Sequence, residues 1–120
     1  MHPNAERLQA FYAAFAALQA EPMQAAYAPD AVFRDEVFQL DGAASIGAMW
    51  RMLCEGARER GLADWRLDAS GIAADAQQGR AHWEAHYRFG PAGRRVHNRI
   101  EARFEFRDGL IVCNVDSYPF

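Results

Sequence analysis

The spacing of apolar residues changes once along the chain, near Asp64, and this change constrains the fold more than any other feature. Before it, apolar residues recur every three or four positions, as one face of a helix requires. After it, apolar and polar residues alternate over residues 80–89 and 95–106, as in strands with one buried face. Helices in the first half and strands in the second predict an α+β fold, with three helices covering one face of an antiparallel sheet.

The first half predicts three helices interrupted by a short strand region. The first helix has about four turns and begins at Asn4, a good N-cap residue. The second covers residues 23–28, with Pro22 suited to its first position, and the third ends at Gly61. Between them, residues 31–40 predict a strand or two short strands with a bulge or turn near Asp35 and Glu36.

The charges of the two long strands predict how they pair. If Phe89 lies opposite Arg94 across the 90–93 loop, Glu84 faces Arg99, which is a favourable cross-strand pair. A shift of two residues would place Glu84 against Glu101, which is repulsive. The sequence therefore favours the first register.

Composition excludes several classes of protein. The chain has 120 residues, 51% of them hydrophobic and 24% charged, so we expect one folded domain over residues 1–120. A net charge of −3 does not suit a nucleic-acid-binding surface, and no apolar run approaches the roughly 18 residues of a membrane span. The first residues lack a secretory pattern, which predicts a cytoplasmic location. Arginine without lysine is typical of GC-rich coding and predicts a bacterial source.

A pocket is indicated by Asn98, the one amide among apolar residues on its strand face. A buried amide needs hydrogen-bond partners, or it costs about 1–3 kcal/mol. It is either a core residue bonded to nearby backbone or a group that orients a ligand. Ala85 opposite it leaves space, and Trp83 and Tyr87 beside it suit an apolar small molecule.

Longer stretches of the sequence resemble a known family. They are LQAFYAAFAALQAEP, YAPDAVFRDEVFQLDG, GAMWRML and HWEAHYRFGPAGRRVHNRIEARFEFRDGLIV, together with Asp116 near the end. Over nearly its whole length the chain resembles the nuclear transport factor 2-like superfamily, in its SnoaL-like and ketosteroid-isomerase-like branch. The resemblance implies a cone-shaped fold with a pocket between sheet and helices, and a homodimer formed through the outer sheet face. The fold hosts isomerases, cyclases, hydrolases, dehydratases and non-catalytic binders.

The resemblance also implies roles for individual residues. Asp35 aligns with the catalytic base of ketosteroid isomerase, and Asp116 with a catalytic aspartate of SnoaL-like cyclases and limonene epoxide hydrolase. Asp35 is otherwise a surface residue at a strand end. The face of Asp116 either meets solvent or lines the cavity. The residues expected to contact a small apolar substrate are Tyr12, Phe15, Phe33, Trp50, Trp83, Tyr87 and Asn98.

Both known catalytic arrangements are incomplete in this sequence. The isomerase needs a tyrosine and a protonated acid, and the aligned positions hold about Ala14, half a turn from Tyr12, and Ala102. The epoxide hydrolase needs an Arg-x-Asp pair where this chain has Trp83 and Ala85. Three hypotheses follow: a proton-moving enzyme that uses Asp35 and Asp116, a non-catalytic binding domain, or a dimerisation module with a filled core.

The other strand face carries His82, Glu84 and His86, with His97 opposite His86. His82 and His86 lie about 13 Å apart along a strand, too far to share one metal ion. His86 and His97 alone make a weak site. We expect a polar outer face, no metal and no cofactor.

Overall fold

The computed structural model describes residues 1–119 as three helices beside one sheet. The helices are α1 Pro3–Ala16, α2 Ala20–Ala25 and α3 Ala43–Glu59, followed by a 3-10 turn at Leu62–Asp64. The strands are β1 Tyr27–Arg34, β2 Gln39–Asp41, β3 Arg66–Ala74, β4 Gln78–Phe89, β5 Arg94–Arg107 and β6 Leu110–Ser117. The predicted α+β class is confirmed, and the sheet is curved and unclosed.

The sheet has the strand order β2-β1-β6-β5-β4-β3. Its hairpins are antiparallel as predicted, but β1 and β6 pair in parallel, so the expectation of a wholly antiparallel sheet is wrong at this pair. Parallel neighbours need a long connection between them, and most of the chain lies between these two strands. The pairing brings the end of β1 beside the end of β6.

The predicted register of β4 and β5 is confirmed. Phe89 lies opposite Arg94, Glu84 opposite Arg99, and Ala85 opposite Asn98. Since successive side chains point to opposite faces, this register sends the apolar set of both strands toward the helices.

The ends of the first two helices differ from prediction. α1 begins at Pro3, whose fixed φ suits the first helical position, and His2 caps it by accepting a hydrogen bond from the Asn4 backbone N–H (3.0 Å). The Asn4 side chain instead donates to the carbonyl oxygen of Asp75 (3.0 Å). α2 ends earlier than predicted, and Pro29 lies inside β1, where the pairing with β6 is irregular and no N–H is needed.

The third helix supplies much of the core. It buries Ile46, Met49 and Trp50, and the Gly61 backbone (φ +93°) ends it as predicted. Edge-to-face contacts join Trp50 to Phe15 (5.0 Å between ring centroids) and to Phe33 (5.8 Å). No helix within residues 1–119 is long and apolar enough to span a membrane.

Candidate functional site

A pocket of about 260 Å³ opens between α3, the 35–38 turn and the inner sheet face. It brings together the three polar residues singled out from the sequence, Asp35, Asn98 and Asp116. Its other lining residues are Phe33, Glu36, Val37, Phe38, Met49, Trp50, Leu53, Trp83, Tyr87, Ile100, Ser117 and Tyr118. Apolar walls with a few convergent polar groups are typical of small-molecule sites, although this volume lies just below their usual range.

Asp116 is on the inner face of β6. Its side chain is 5% exposed and that of Asn114, two residues earlier, is 1% exposed, so this face does not meet solvent. Across the sheet Asp116 lies opposite Ala102, whose small side chain leaves room beside the carboxyl group. Alternation along the strand thus delivers an acid to the bottom of the pocket.

A chain of hydrogen bonds fixes one oxygen of this acid. Trp50 Nε1 donates to Tyr27 Oη (3.1 Å), Tyr27 Oη donates to Asn114 Oδ1 (2.8 Å), and Asn114 Nδ2 donates to Asp116 Oδ1 (3.0 Å). Because an indole N–H can only donate, the tyrosine proton must point to Asn114, whose NH₂ group then points to Asp116. This hydrogen-bond relay from Trp50 to Asp116 therefore runs in one direction, and Asp116 Oδ2 takes no part in it.

The surroundings of Asp116 favour its protonated form. Burial raises the pKa of Asp116 to about 7, and the negative charge of Asp35 adds to this rise, while the hydrogen bond from Asn114 opposes it. Burial, together with the charge of Asp116, raises the pKa of Tyr12 and of Tyr27 well above the ordinary tyrosine range. Both phenols are therefore neutral, and the carboxyl group alone titrates near neutrality in this cluster.

Trp83 presents an unpaired donor at the same place. Its Nε1 is buried and, within residues 1–119, has no hydrogen-bond acceptor in bonding geometry. It lies close enough to Asp116 to help lower the pKa of that carboxyl group. An unpaired buried donor costs about 1–3 kcal/mol, so this group is available to a ligand or to a small movement of Asp116.

Asp35 is oriented by the turn in which it lies. Its Oδ1 accepts hydrogen bonds from the backbone N–H groups of Val37 (2.8 Å) and Phe38 (2.7 Å). These bonds end β1 and aim the half-buried carboxylate at the pocket mouth. Of the bulge or turn predicted near Asp35, the structure shows the turn, and the side-chain bonds of Asp35 to the backbone stabilise it.

Asn98 is half-buried at the pocket wall, bonded to a neighbouring side chain and not to a core backbone group. Its Nδ2 donates to Tyr87 Oη (2.9 Å) across β4 and β5. The carbonyl oxygen of the amide remains as an acceptor beside the cavity.

Two residues expected to contact substrate lie outside the pocket lining. Phe15 is buried behind it, edge-on to Trp50 and to Trp83 (5.3 Å between the latter ring centroids), and so supports the walls. Tyr12 is buried against Phe104 (6.5 Å between centroids). Both point inward from α1, and helical spacing does not distinguish a core position from a pocket position.

Sequence reasoning gave no role to Tyr27 or Asn114, the middle members of the relay. Asn114 shares a strand face with Asp116, and that parity is the signal by which it could have been found. No comparable signal marks Tyr27, since it meets Asn114 through the pairing of strands that are distant in sequence.

The outer sheet face holds a second cluster of titratable groups. Glu84 accepts hydrogen bonds from His82 Nε2 (2.7 Å) and His97 Nε2 (2.6 Å), and ligand atoms of Glu84, His86 and His97 lie within 4.8 Å of one another. The rings of His86 and His97 stack with centroids 4.0 Å apart and planes inclined by 20°. One metal ion cannot lie in both nearly parallel ring planes, so the geometry describes an ion-pair network better than a metal site.

Fold and pocket together define a nuclear transport factor 2-like protein. The model of the SnoaL-like domain family matches residues 8–114, so the chain belongs to this family. A search of curated protein sequences finds no match.

Solved structures share the fold at low sequence identity. An NTF2-like protein of unknown function from Burkholderia pseudomallei is 16% identical, with a TM-score of 0.77 over 99% of this chain and 92% of that one. A candidate polyketide cyclase from Xanthomonas campestris pv. campestris is 18% identical (TM-score 0.74; 98% and 90% covered). An LEH-like epoxide hydrolase from M. tuberculosis is 21% identical (TM-score 0.71; 98% and 83% covered). At these identities the likeness shows the fold alone.

Proposed function

We propose that this protein is a cofactor-free enzyme that moves a proton on a small apolar substrate, with Asp116 as general acid and base. The observation that carries the proposal is a fully buried carboxyl group at the bottom of a pocket, with a pKa raised to about 7. A group that is near half protonation at neutral pH can both give and take a proton.

The relay supports this role because it occupies only one carboxyl oxygen of Asp116. Asn114 holds Asp116 Oδ1, so Oδ2 is the oxygen that meets a substrate. The relay members are neutral and buried, and they fix the carboxyl group without competing for its proton.

Asp35 is proposed as the second catalytic carboxylate, at the pocket mouth. Its turn fixes its direction, and its negative charge helps to keep Asp116 protonated. Proposed substrate contacts are Asn98 and Tyr87 on one wall and Phe33, Trp50 and Trp83 on the others, with Phe15 and Tyr12 supporting them from the core.

The reaction class that fits is isomerisation, cyclisation or addition of water. Each needs a proton removed at one atom and supplied at another, which two carboxyl groups in unlike surroundings can do. The structural likeness to an epoxide hydrolase and to a candidate polyketide cyclase supports this class.

The proposal is tested with two small probe molecules, chosen to fit the pocket. We would measure hydrogen–deuterium exchange next to the carbonyl of cyclohexanone, and hydrolysis of cyclohexene oxide, with and without protein. We expect acceleration of at least one reaction and a loss of about 100-fold or more in Asp116→Asn. The exposed control Asp41→Asn, which lies outside the pocket lining, should retain the rate. Full turnover in Asp116→Asn would contradict the proposal.

The alternative is a non-catalytic protein that binds a small ligand in the same pocket. The observation that favours it is the lack of a partner acid on the inner face of β4 and β5, where Trp83, Ala85 and Ala102 stand. Under this alternative neither probe reacts, and Asp116→Asn binds ligand as the natural chain does.

We further propose a homodimer formed through the outer face of β3, β4 and β5, in a cytoplasmic protein. On this face histidine, glutamate and arginine side chains alternate in sign, as between Glu84 and Arg99, which allows a copy of the face to complement itself. Sedimentation equilibrium tests it: a dimer that Glu84→Arg dissociates is expected, and a monomer at all concentrations would contradict it.

A further inference from the structure

Within residues 1–119, acidic side chains line the pocket wall and basic side chains do not. Three carboxyl side chains line it, those of Asp35, Glu36 and Asp116. Within residues 1–119, no arginine or histidine side chain lines it, and the sequence contains no lysine. The acids therefore face the cavity without a cation to balance them.

Several of the atoms left free at the wall are hydrogen-bond acceptors. Asn98 spends its Nδ2 on Tyr87, which leaves its carbonyl oxygen. Asp35 Oδ1 accepts hydrogen bonds from backbone N–H groups, and Asp116 Oδ1 accepts one from Asn114. Each carboxyl group therefore keeps its other oxygen as an acceptor for a ligand. A ligand that satisfies these oxygens must donate hydrogen bonds.

Aromatic faces complete the surroundings. Phe33, Trp50, Trp83 and Tyr87 contribute to the same wall. Aromatic rings attract a cation in a desolvated site, and tryptophan does so most strongly. Carboxylates and aromatic rings therefore both favour a cationic ligand.

We infer that the pocket selects its ligand by charge: it takes a small, mostly apolar molecule with one basic nitrogen, held as an ammonium group against Asp35 and Asp116. The inference rests on the proposed function, since it concerns the same site. A carboxylate of equal size is rejected because it would add a negative charge to a cavity that already holds several.

Two hydrogen-bond donors at the wall narrow the class of ligand further. Trp83 Nε1 is unpaired, and Tyr87 Oη accepts from Asn98, which leaves its proton free. Together they suit one carbonyl or hydroxyl oxygen on the same ligand. An alicyclic or aromatic amine with one oxygen therefore fits better than a simple hydrocarbon.

Three molecules of equal size and different charge test this inference on the unmodified protein: benzylamine, benzyl alcohol and benzoate. Binding is followed at pH 8 by the indole N–H signals of Trp50 and Trp83 in nuclear magnetic resonance (NMR) spectra. We expect benzylamine to bind about tenfold more tightly than benzyl alcohol, and benzoate to bind most weakly.

The pH dependence adds a second readout. The titratable groups that act on Asp116 are Asp35, which raises its pKa, and Tyr12 and Tyr27, whose own pKa values burial raises well above the ordinary range; Glu36, Tyr87 and Tyr118 line the same pocket. Lowering the pH from 8 to 6 protonates Asp116 while the amine stays charged, so benzylamine affinity should fall about tenfold. Benzyl alcohol affinity should not change.

Variants separate the possible failures. Asp116→Asn and Asp35→Asn should each lower the affinity for benzylamine but not for benzyl alcohol, and the exposed control Asp41→Asn, outside both the pocket lining and the proposed interface, should change neither. If benzyl alcohol binds and benzylamine is no tighter, the charge inference fails and the proposed pocket function stands. If benzoate is the tightest ligand, the inference is overturned. If none of the three shifts the Trp50 and Trp83 signals at millimolar concentration, the proposed function fails and the inference fails with it.

Discussion

The two faces of the sheet treat the same chemical group in opposite ways. On the inner face, burial raises the pKa of Asp116 to about 7. On the outer face, hydrogen bonds from His82 and His97 lower the pKa of Glu84 to about 2. Both are carboxyl groups on strands of one sheet, β6 and β4, with β5 between them, and they differ in exposure to solvent and in their partners. The comparison teaches that a reactive acid here requires a dry site without a cation, and alternation along the strands supplies that separation.

The largest expected effect is on stability, in the variant Asp116→Asn. The folded-state pKa of Asp116 lies above the unfolded value of 3.8, so folding favours the protonated form. The stability that this form provides is complete below pH 3.8 and is lost as the pH rises through 7. At pH 8 the charged acid therefore costs about 4 kcal/mol, which asparagine does not incur.

Urea unfolding at pH 4.5 and pH 8 measures this effect. Asp116→Asn should be more stable than the natural chain at pH 8 and similar to it at pH 4.5. Equal stabilities at both pH values would show that the inner face does not hold a destabilised acid.

The relay should contribute the next largest effect. Asn114→Ala leaves the phenol of Tyr27 and the carboxyl group of Asp116 without partners in a buried place, and should lower the free energy of unfolding by about 2–3 kcal/mol. Loss of the donor should also raise the pKa of Asp116, moving the pH midpoint of any activity upward.

Tyr27→Phe is the conservative companion of that variant. It keeps the ring and removes the hydroxyl group between Trp50 and Asn114, so the expected loss is smaller, about 1–2 kcal/mol by urea unfolding. A larger loss in Tyr27→Phe than in Asn114→Ala would contradict the order of the relay.

The smallest effect is expected on the outer face, in Glu84→Gln. Its ion pairs are open to solvent, and such pairs contribute little. Glu84 contributes stability above its unfolded pKa of 4.5 and loses it as the pH falls toward 2. The His82 pKa is raised by Glu84 and Glu101, and its contribution is present below 6.5 and lost as the pH rises through the raised value.

Thermal unfolding across pH therefore sharpens the comparison. The difference between the natural chain and Glu84→Gln should be greatest between pH 4.5 and 6.5, and salt should reduce it. A difference that persists unchanged at pH 8 would show that Glu84 acts through something other than its histidine partners.

Local patterns predicted the parts of the fold that are local. The register of β4 and β5 followed from charges on adjacent strands, and the turn at Asp35 from its sequence context. The parallel pairing of β1 with β6 could not be predicted from local patterns. It joins segments that are distant in the sequence, and no pairs of opposite charge indicate its register.

The functional site, like the fold, was predictable only where it depends on local sequence patterns. Alternation along the last strand gives Asp116 one face of the sheet, but alternation alone does not say whether that face is buried. The hydrogen bonds from Trp50 through Tyr27 to Asn114 join three elements, α3, β1 and β6. Only the structure could therefore show that these bonds lead to Asp116 and in which direction they run.

The central claim is that the surroundings of Asp116 make it a carboxyl group that titrates near neutrality. Carbon-detected NMR titration of protein labelled at the aspartate carboxyl carbon measures this directly, with Asp116→Asn to assign the signal. The account predicts a midpoint of about 7 for Asp116. A midpoint at the ordinary aspartate value of 3.8 would contradict it.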